Sequence, residues 1–448
     1  MAAMPSDLPP LPLPMEDLQG LQGAWVVGFS GGLDSTALLH RLAAEAAHRV
    51  RAVHVHHGLQ PAADAWAEHC RQQALRLGIP LDVRHVEVAR DSGAGLEAAA
   101  RQARYAALMA ALAPGDVLVT AHHLDDQAET FLLRALRASG PEGLGAMRPL
   151  RRLGHGWHWR PLLWTARETL HAYAHAHALE WVEDPSNASA DPDRNYLRLH
   201  VLPVLGGRWP HAGQALARSA SLCAQADALL EADDRHLLRL HSGDDPHALR
   251  VDGLRSLPAT RRARLLRLWV RQLGLPRLPG RGVERIEHEL LAARADARPT
   301  LAWAGARITR WRDLLHADVL RAPLPPQWSA RWDGRAALDL PDGGRLLLRD
   351  AAGRPSATGF ASPLLVHPRR GGERIVLPGR GHSHTLKHVL QARGVPPWRR
   401  AHLPLLCGDD GRLLAAGDVA WADDMTRWLR AHHLHLAWYP PGTAAAAR

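Results

Sequence analysis

In the N-terminal part of the chain, short apolar runs alternate with longer segments of helical spacing. Trp25 to Phe29 is short, apolar and partly β-branched, as a buried parallel strand requires, and Leu38, Leu39, Leu42, Ala43 and Ala46 then recur with a helical period. The alternation repeats in VRAVHVHHGL from Val50 with a helix around Asp64 to Leu77, and in LDVRHVEV with an alanine-rich helix from Leu96 to Leu112. It comes again in DVLVTAHH from Asp116, with a helix beginning near Leu124. This pattern predicts βαβ units and an α/β fold with a doubly wound parallel sheet. Ligands of such sheets bind outside the carboxyl ends of the strands. Ser30, His54 to His57 and Thr120 to Asp126 fall at those ends, so three separate segments are expected to line one crevice.

From about Gly206 the alternation stops. Ala212 to Leu240 and the arginine-dense stretch Ala259 to Ala295 read as helices, the latter with an apolar face of Leu265, Leu266, Leu268, Trp269 and Leu273. A mainly helical domain is therefore expected over residues 206–345, after a catalytic domain over 23–205. The proline-rich break RAPLPPQW and the glycine- and aspartate-punctuated strands after it predict a small α+β domain over 350–440. The opening residues 1–22 are proline-rich, poor in basic residues and without a continuous apolar run. They read as a flexible leader and exclude a signal peptide. No run approaches the ~20 apolar residues that span a bilayer, and no internal period argues for a solenoid.

Composition adds a partner class. The 448 residues carry a net charge of +10, and Lys387 is the one lysine, so nearly all of the positive charge is arginine. A polyanion is implied, nucleic acid ahead of a membrane surface. The local concentration is more telling than the total. Arg369, Arg370, Arg374, Arg380, Lys387, Arg393, Arg399 and Arg400 stand against the single acid Glu373, with Trp398 among them. Such a strip fits phosphate tracking with base stacking, or a charged face kept for solubility. Cys70, Cys223 and Cys407 lie far apart with no C-x-x-C, which fits a reducing cytoplasm and argues against disulfides and against zinc or iron–sulfur sites. The 29 histidines include His56-His57 and His122-His123, but no zinc spacing such as H-E-x-x-H occurs.

Between the first strand and its helix runs Ser30-Gly31-Gly32-Leu33-Asp34-Ser35. It is neither a Walker A loop, which needs a lysine, nor a G-x-G-x-x-G dinucleotide turn. A glycine turn into a helix N-terminus aims unpaired N–H groups and the positive end of the helix dipole at one spot, which suits a phosphate. An ordinary turn capped by Ser30 or Ser35 is the alternative. On the helix near Leu124, Asp125 and Glu129 are four apart and Asp126 and Glu129 three apart, so carboxylates share a face. They can hold magnesium on a polyphosphate, bind an ammonium group, or simply complement the helix dipole.

The string S-G-G-x-D-S in this setting resembles the pyrophosphate loop of the N-type ATP pyrophosphatases, the PP-loop superfamily. An ordered series extends the likeness: HVHHGL, EAAARQARYAAL, TAHHLDDQAETFLLR, GLGAMRPL, RPLL, WVEDPSNAS and RNYLRLHVLPVL. Together these resemble the tRNA(Ile)-lysidine synthetase family strongly over residues 25–205, and HTLKHVLQARGVPPWRRAHLPLL resembles that family's terminal domain. The resemblance implies use of ATP and Mg2+ to adenylate the wobble cytidine of the isoleucine tRNA with a CAU anticodon. Free L-lysine would then displace AMP to give lysidine, changing reading from AUG to AUA and identity from Met to Ile.

It also implies roles. Ser30, Gly31, Gly32, Leu33, Asp34, Ser35, His56 and His122 would surround ATP. Asp34 and Asp126 would bind metal or accept a proton, and Arg104 with Arg194 or Arg198 would face phosphates or substrate. Glu129 would orient the lysine ammonium, and EDPSN would turn near the target base. A cytoplasmic monomer or homodimer is expected. Two other readings remain at this point. One is a different ATP pyrophosphatase, such as a tRNA thiolase or an amidotransferase-type synthetase, and the other is a nucleotide-sensing RNA-binding protein without turnover. Thiolases of this superfamily commonly use paired cysteines, which this chain lacks.

Overall fold

A computed structural model describes residues 11–88, 95–185, 192–294 and 296–442. The chain divides into two compact units, Met1–Glu231 and Ala232–Arg448, with the boundary inside the long helix Ala212–Ser242.

The first unit is built on β1 (Trp25–Gly28), α1 (Leu33–Ala46), β2 (Val50–His56), α2 (Ala63–Arg76), β3 (Leu81–His85), α3 (Leu96–Ala110), β4 (Val117–Val119), α4 (Leu124–Ala135), β5 (Leu150–Leu153) and β6 (Gly156–Trp159). The sheet order is β3-β2-β1-β4-β6-β5. All neighbours are parallel except β5, which pairs antiparallel with β6. The chain leaves β1 toward β2 and β3 on one side and returns to β4 on the other, so the switch in strand order lies between β1 and β4. That is where an open α/β sheet leaves a crevice.

Alternation along β1 puts its side chains on both faces. Val27 packs with Phe29, Leu38, Leu39, Leu42 and Leu170, while Val26 packs with Val53, Leu108 and Leu118. Burial on both faces explains why these strands read as continuous apolar runs. At the opposite ends of the strands, Asp116 acts as a clasp. Its Oδ1 accepts the Ala24 N–H at 3.0 Å, and its Oδ2 accepts the Ala113 N–H at 2.9 Å and an Arg51 Nη at 2.8 Å.

The expected leader extends too far. Leu11 and Leu18 are buried in the core beneath β1, and the Trp159 indole donates to Asp17 at 3.1 Å. Prolines here shape an extended strap with a short 3-10 turn, Met15–Leu18, rather than a free tail.

The second unit also differs from a mainly helical expectation. Ala259–Gln272 is a helix, but Pro276 and Pro279 end the expected 259–295 run, and helix resumes at Gly282–Arg285. A four-stranded sheet then forms from Ala248–Arg250, Leu314–Val319, Ala306–Trp311 and Thr300–Trp303, in that order. Its Leu301, Ile308 and Leu315 share a core with Leu265, Leu266, Trp269 and Ile286. A separate core joins Trp332, Leu346, Leu348, Leu405, Leu406, Leu436 and Trp438. The terminal core therefore begins before residue 350, because Arg345–Arg349 pairs with His435–Tyr439 far along the chain.

Asp116→Ala removes the acceptor of three donors at once. It should lower stability by about 2–4 kcal/mol, read as a reduced urea midpoint with an unchanged slope.

Candidate active site

The turn between β1 and α1 is held open from below. Gly31 has φ +82°, and a Cβ there would lie 2.9 Å from Cys70 Sγ and 3.3 Å from Val182 Cγ2, so only glycine fits without displacement. The Gly31 carbonyl accepts from Val182 N at 2.9 Å and Thr36 Oγ1 at 3.3 Å. Ser30 and Ser35 meet through their hydroxyls at 3.0 Å, and Ser35 also donates to the Gly32 carbonyl at 3.1 Å. Intrahelical bonding starts with the Thr36 N–H, on Gly32 at 3.0 Å. The N–H groups of Leu33, Asp34 and Ser35, in the first turn, therefore have no helical acceptor, and with the dipole of α1 they form an anion cradle.

At the mouth of β4, His123 caps α4. Its Nδ1 accepts the Asp125 N–H at 3.3 Å, and Asp126 Oδ2 accepts the His123 N–H at 2.9 Å, a reciprocal cap. The other ring nitrogen, Nε2, faces two carboxylates. That atom lies 3.8 Å from Asp34 Oδ2 and 3.6 Å from Asp126 Oδ2, so His123 stands between two carboxylates from different strand ends.

Behind them is a buried ionic lattice. Glu129 is fully buried and takes Arg194 Nε at 2.6 Å and Arg198 Nε at 2.7 Å. The same arginines reach Asp126 Oδ1 at 2.8 and 3.3 Å. Burial pushes the Asp126 carboxyl up, but His123, Arg194 and the His123 N–H outweigh it and hold it at about 2. Burial dominates at Asp34 and raises its carboxyl, with His123, Arg167 and Arg198 opposing. Asp34 Oδ1 is buried with no hydrogen-bond partner.

A second set of polar groups lies under His122. Thr120 Oγ1 is 2.8 Å from His122 Nδ1 and 2.8 Å from His158 Nε2, and Arg160 Nη2 is 3.1 Å from His158 Nδ1. Burial, reinforced by Arg160, pushes His122 down to about 3 and His158 to about 2.

The family model described as a PP-loop domain matches residues 15–205, that for the TilS substrate binding domain residues 249–316, and that for the TilS substrate C-terminal domain residues 364–438. The chain is 54% identical over 416 residues to the tRNA(Ile)-lysidine synthase of Xanthomonas campestris pv. campestris (strain 8004), covering 92% of this chain and 94% of that one. The chain belongs to the tRNA(Ile)-lysidine synthase family. The synthase of that name from Xanthomonas axonopodis pv. citri (strain 306) is 52% identical over 93% of this chain and 94% of its own. That of Xylella fastidiosa (strain Temecula1 / ATCC 700964) is 50% identical over 92% and 94%.

In this lysidine synthase family chain, residues 30–35 form the cradle, Asp34 and Asp126 flank His123, and Glu129 with Arg194 lies behind Asp126. Arg104 is exposed on α3; desolvation, Arg101 and Arg194 lower its pKa, so it stands in a field of like charge beside the lattice. His56 is engaged elsewhere, with Nε2 on Asp64 Oδ1 at 3.0 Å and its ring against His85. Glu129 has both oxygens occupied by guanidinium groups, so its geometry orients arginines rather than receiving an ammonium group. Ser186 and Asn187 of EDPSN lie outside the described residues. The sequence places His123 in the crevice-lining segment Thr120 to Asp126 but assigns it no role, although it stands three residues before Asp126, the spacing of a reciprocal cap. Thr120 and Arg160 open two of the motifs quoted above, TAHHLDDQAETFLLR and RPLL, with no role assigned to either, while Arg167 and His158 carry no sequence signal, since only the fold brings them near Asp34 and His122.

His122 and His158 are neutral in the folded protein, whereas an unfolded imidazole titrates near ~6.5. Stability is therefore fully present above that pH and falls as pH drops toward about 3, by about 1.4 kcal/mol per pH unit for each histidine. The urea midpoint should be lower at pH 5 than at pH 7. Asp126, depressed to about 2, adds its own loss only below pH ~4. An equal midpoint at pH 7 and pH 5 would contradict the neutral assignment.

Proposed function

We propose that this chain joins free L-lysine to the wobble cytidine of the isoleucine tRNA with a CAU anticodon, using ATP and releasing AMP and pyrophosphate. The observation that carries this reading is the lysine-free cradle of residues 30–35, whose Asp34 stands across His123 from Asp126, in a chain about half identical to named synthases over nine-tenths of its length.

In the first step the cytosine O2 attacks the α-phosphorus, the bond from that phosphorus to the bridging oxygen breaks, and pyrophosphate leaves. Backbone N–H groups of the cradle receive the departing charge. In the second step the lysine ε-nitrogen attacks C2, the C2–O bond breaks, and AMP departs with that oxygen. The ammonium group must lose protons before it can attack. Asp34, raised by burial, is the better acceptor, and Asp126 stays ionised. Arg194 and Arg198, fixed by Glu129, neutralise charge near the reacting phosphate.

Magnesium fits this donor set. Asp34 Oδ1 is a buried oxygen lacking a partner, and one or two carboxylates with phosphate oxygens are the usual ligands of this ion. Asp34 and Asp126 would hold it, and when bound it supplies charge neutralisation for the pyrophosphate. Among the described residues, no group of three or more His, Cys, Asp or Glu forms a metal cluster, and no helix is long and apolar enough to cross a membrane.

Support for the tRNA comes from the second unit. Arg400 is buried and donates through Nε to the Val395 carbonyl at 2.6 Å. Desolvation, Arg298, Arg369 and Arg312 all lower its pKa, so four guanidinium groups share one locality. Trp398 stacks on His316 at 4.0 Å and meets Trp311 edge-on at 5.8 Å, and Arg312 lies over Trp311 at 4.7 Å. Glu373, 3.9 Å from Arg369, is the acid beside this group. Like charges collected in this way suit a phosphate backbone.

Purified protein incubated with ATP, Mg2+, labelled lysine and the minor isoleucine tRNA should yield labelled lysidine on nucleoside analysis. Asp34→Ala and Asp126→Ala should each lower the yield by about a hundredfold or more while tRNA retention persists. Parent-like activity in both variants would refute the site assignment. Arg312→Ala and Arg369→Ala should each weaken tRNA binding and reduce its salt slope by roughly one, with ATP affinity unchanged.

A further inference from the structure

We propose that Arg160, His158 and Thr120 are positioning residues that lock His122 in its Nε2–H tautomer, so that it offers one fixed neutral donor to a phosphate oxygen of the nucleotide being transferred. The inference rests on the ligase reading above, but the direction of the chain follows from the hydrogen bonds themselves.

A guanidinium only donates, so Arg160 Nη2 gives its hydrogen to His158 Nδ1 across 3.1 Å. His158 is neutral, at about 2, so its proton is on Nε2. That N–H donates to Thr120 Oγ1 at 2.8 Å. The hydroxyl hydrogen is then left for His122 Nδ1, also 2.8 Å away. With Nδ1 accepting and the ring neutral, at about 3, His122 carries its proton on Nε2. The reverse at the last contact, with His122 Nδ1–H donating to the second lone pair of Thr120 Oγ1, would leave the buried hydroxyl hydrogen without an acceptor, because the two imidazoles are its only partners among the described residues.

The chain is anchored at its far end. Arg160 is buried, and its Nη1 donates to the Arg148 carbonyl at 2.9 Å. Thr120 and His158 are buried as well, whereas His122 is half-buried at the end of β4. The charges that act most strongly on His122 are Asp126, Arg160, Arg194 and Arg101, so it borders the ionic lattice of the site. Three buried polar side chains behind a half-exposed imidazole are more than packing needs, since burying them carries a desolvation cost and Arg160 Nε is left without a partner. A donor held in direction and charge is what such an arrangement supplies.

Histidine-selective 15N labelling of the full chain tests this, with the His122 ring assigned by its loss in His122→Asn. At neutral pH the parent should show an unprotonated Nδ1 and a protonated Nε2 at His122. Thr120→Val keeps the shape and removes the hydroxyl. It should abolish the single tautomer and lower kcat for lysidine formation about tenfold, with KM for ATP changed by less than about twofold. Thr120→Ser should restore both the tautomer and the rate. An Nδ1–H tautomer in the parent, or an unchanged His122 spectrum in Thr120→Val, overturns the lock. A changed spectrum with parent-like kcat overturns the use of the donor. Absence of lysidine formation by the parent would instead refute the ligase reading, and the ring resonances would still report the tautomer.

Discussion

Glu129 has no exposure to water, and its carboxyl is gripped by Arg194 and Arg198 through bonds of 2.6 and 2.7 Å. The pairing joins α4 to the helical segment 193–208, so residues about 65 positions apart in sequence are fixed across the site. Removing one partner of a buried pair costs about 3–5 kcal/mol, because the remaining charge is stranded. Asp126 brings a second negative charge to the two positive ones, which leaves the lattice near neutrality. The arginines arrive at the crevice already oriented, and little reorganisation is needed when charge develops there.

His123 links that lattice to the cradle. Its ring caps α4 through one nitrogen and stands between Asp34 and Asp126 with the other. One side chain thus ends a strand, begins a helix and spaces two carboxylates that would repel each other at closer range. The contrast between Asp126, held at about 2, and Asp34, raised by burial, follows from this geometry, since Arg194, Arg198 and the His123 N–H bond directly to Asp126, whereas Arg167 and Arg198 act on Asp34 without bonding to it. Two acids with unlike environments on one site are suited to unlike tasks.

Much of the first unit was legible in the sequence because its strands are buried on both faces and its helices follow at short range. The turn of residues 30–35 and the acids of α4 were legible too, since local spacing fixes them. The second unit was harder. Thr300–Trp303, Ala306–Trp311 and Leu314–Val319 are short strands separated by tight turns, and their alternation is blurred because Arg310 stands at a buried position, its guanidinium donating to the Leu290 and Leu291 carbonyls. Arg345–Arg349 finds its partner in His435–Tyr439, a pairing no local window reveals. The same limit hid Arg160 and His158, which matter through contacts made only after β4 and β6 pair.

The left-handed Gly31 has a consequence for how variation in this loop is tolerated. The groups proposed to receive the phosphates there belong to the main chain, so a survey that trims side chains one at a time would leave them untouched. Selection at this spot acts on a torsion angle rather than on a functional group. A population of natural variants should therefore keep a residue without a β-carbon at position 31, where Cys70 and Val182 close off the space a side chain would need.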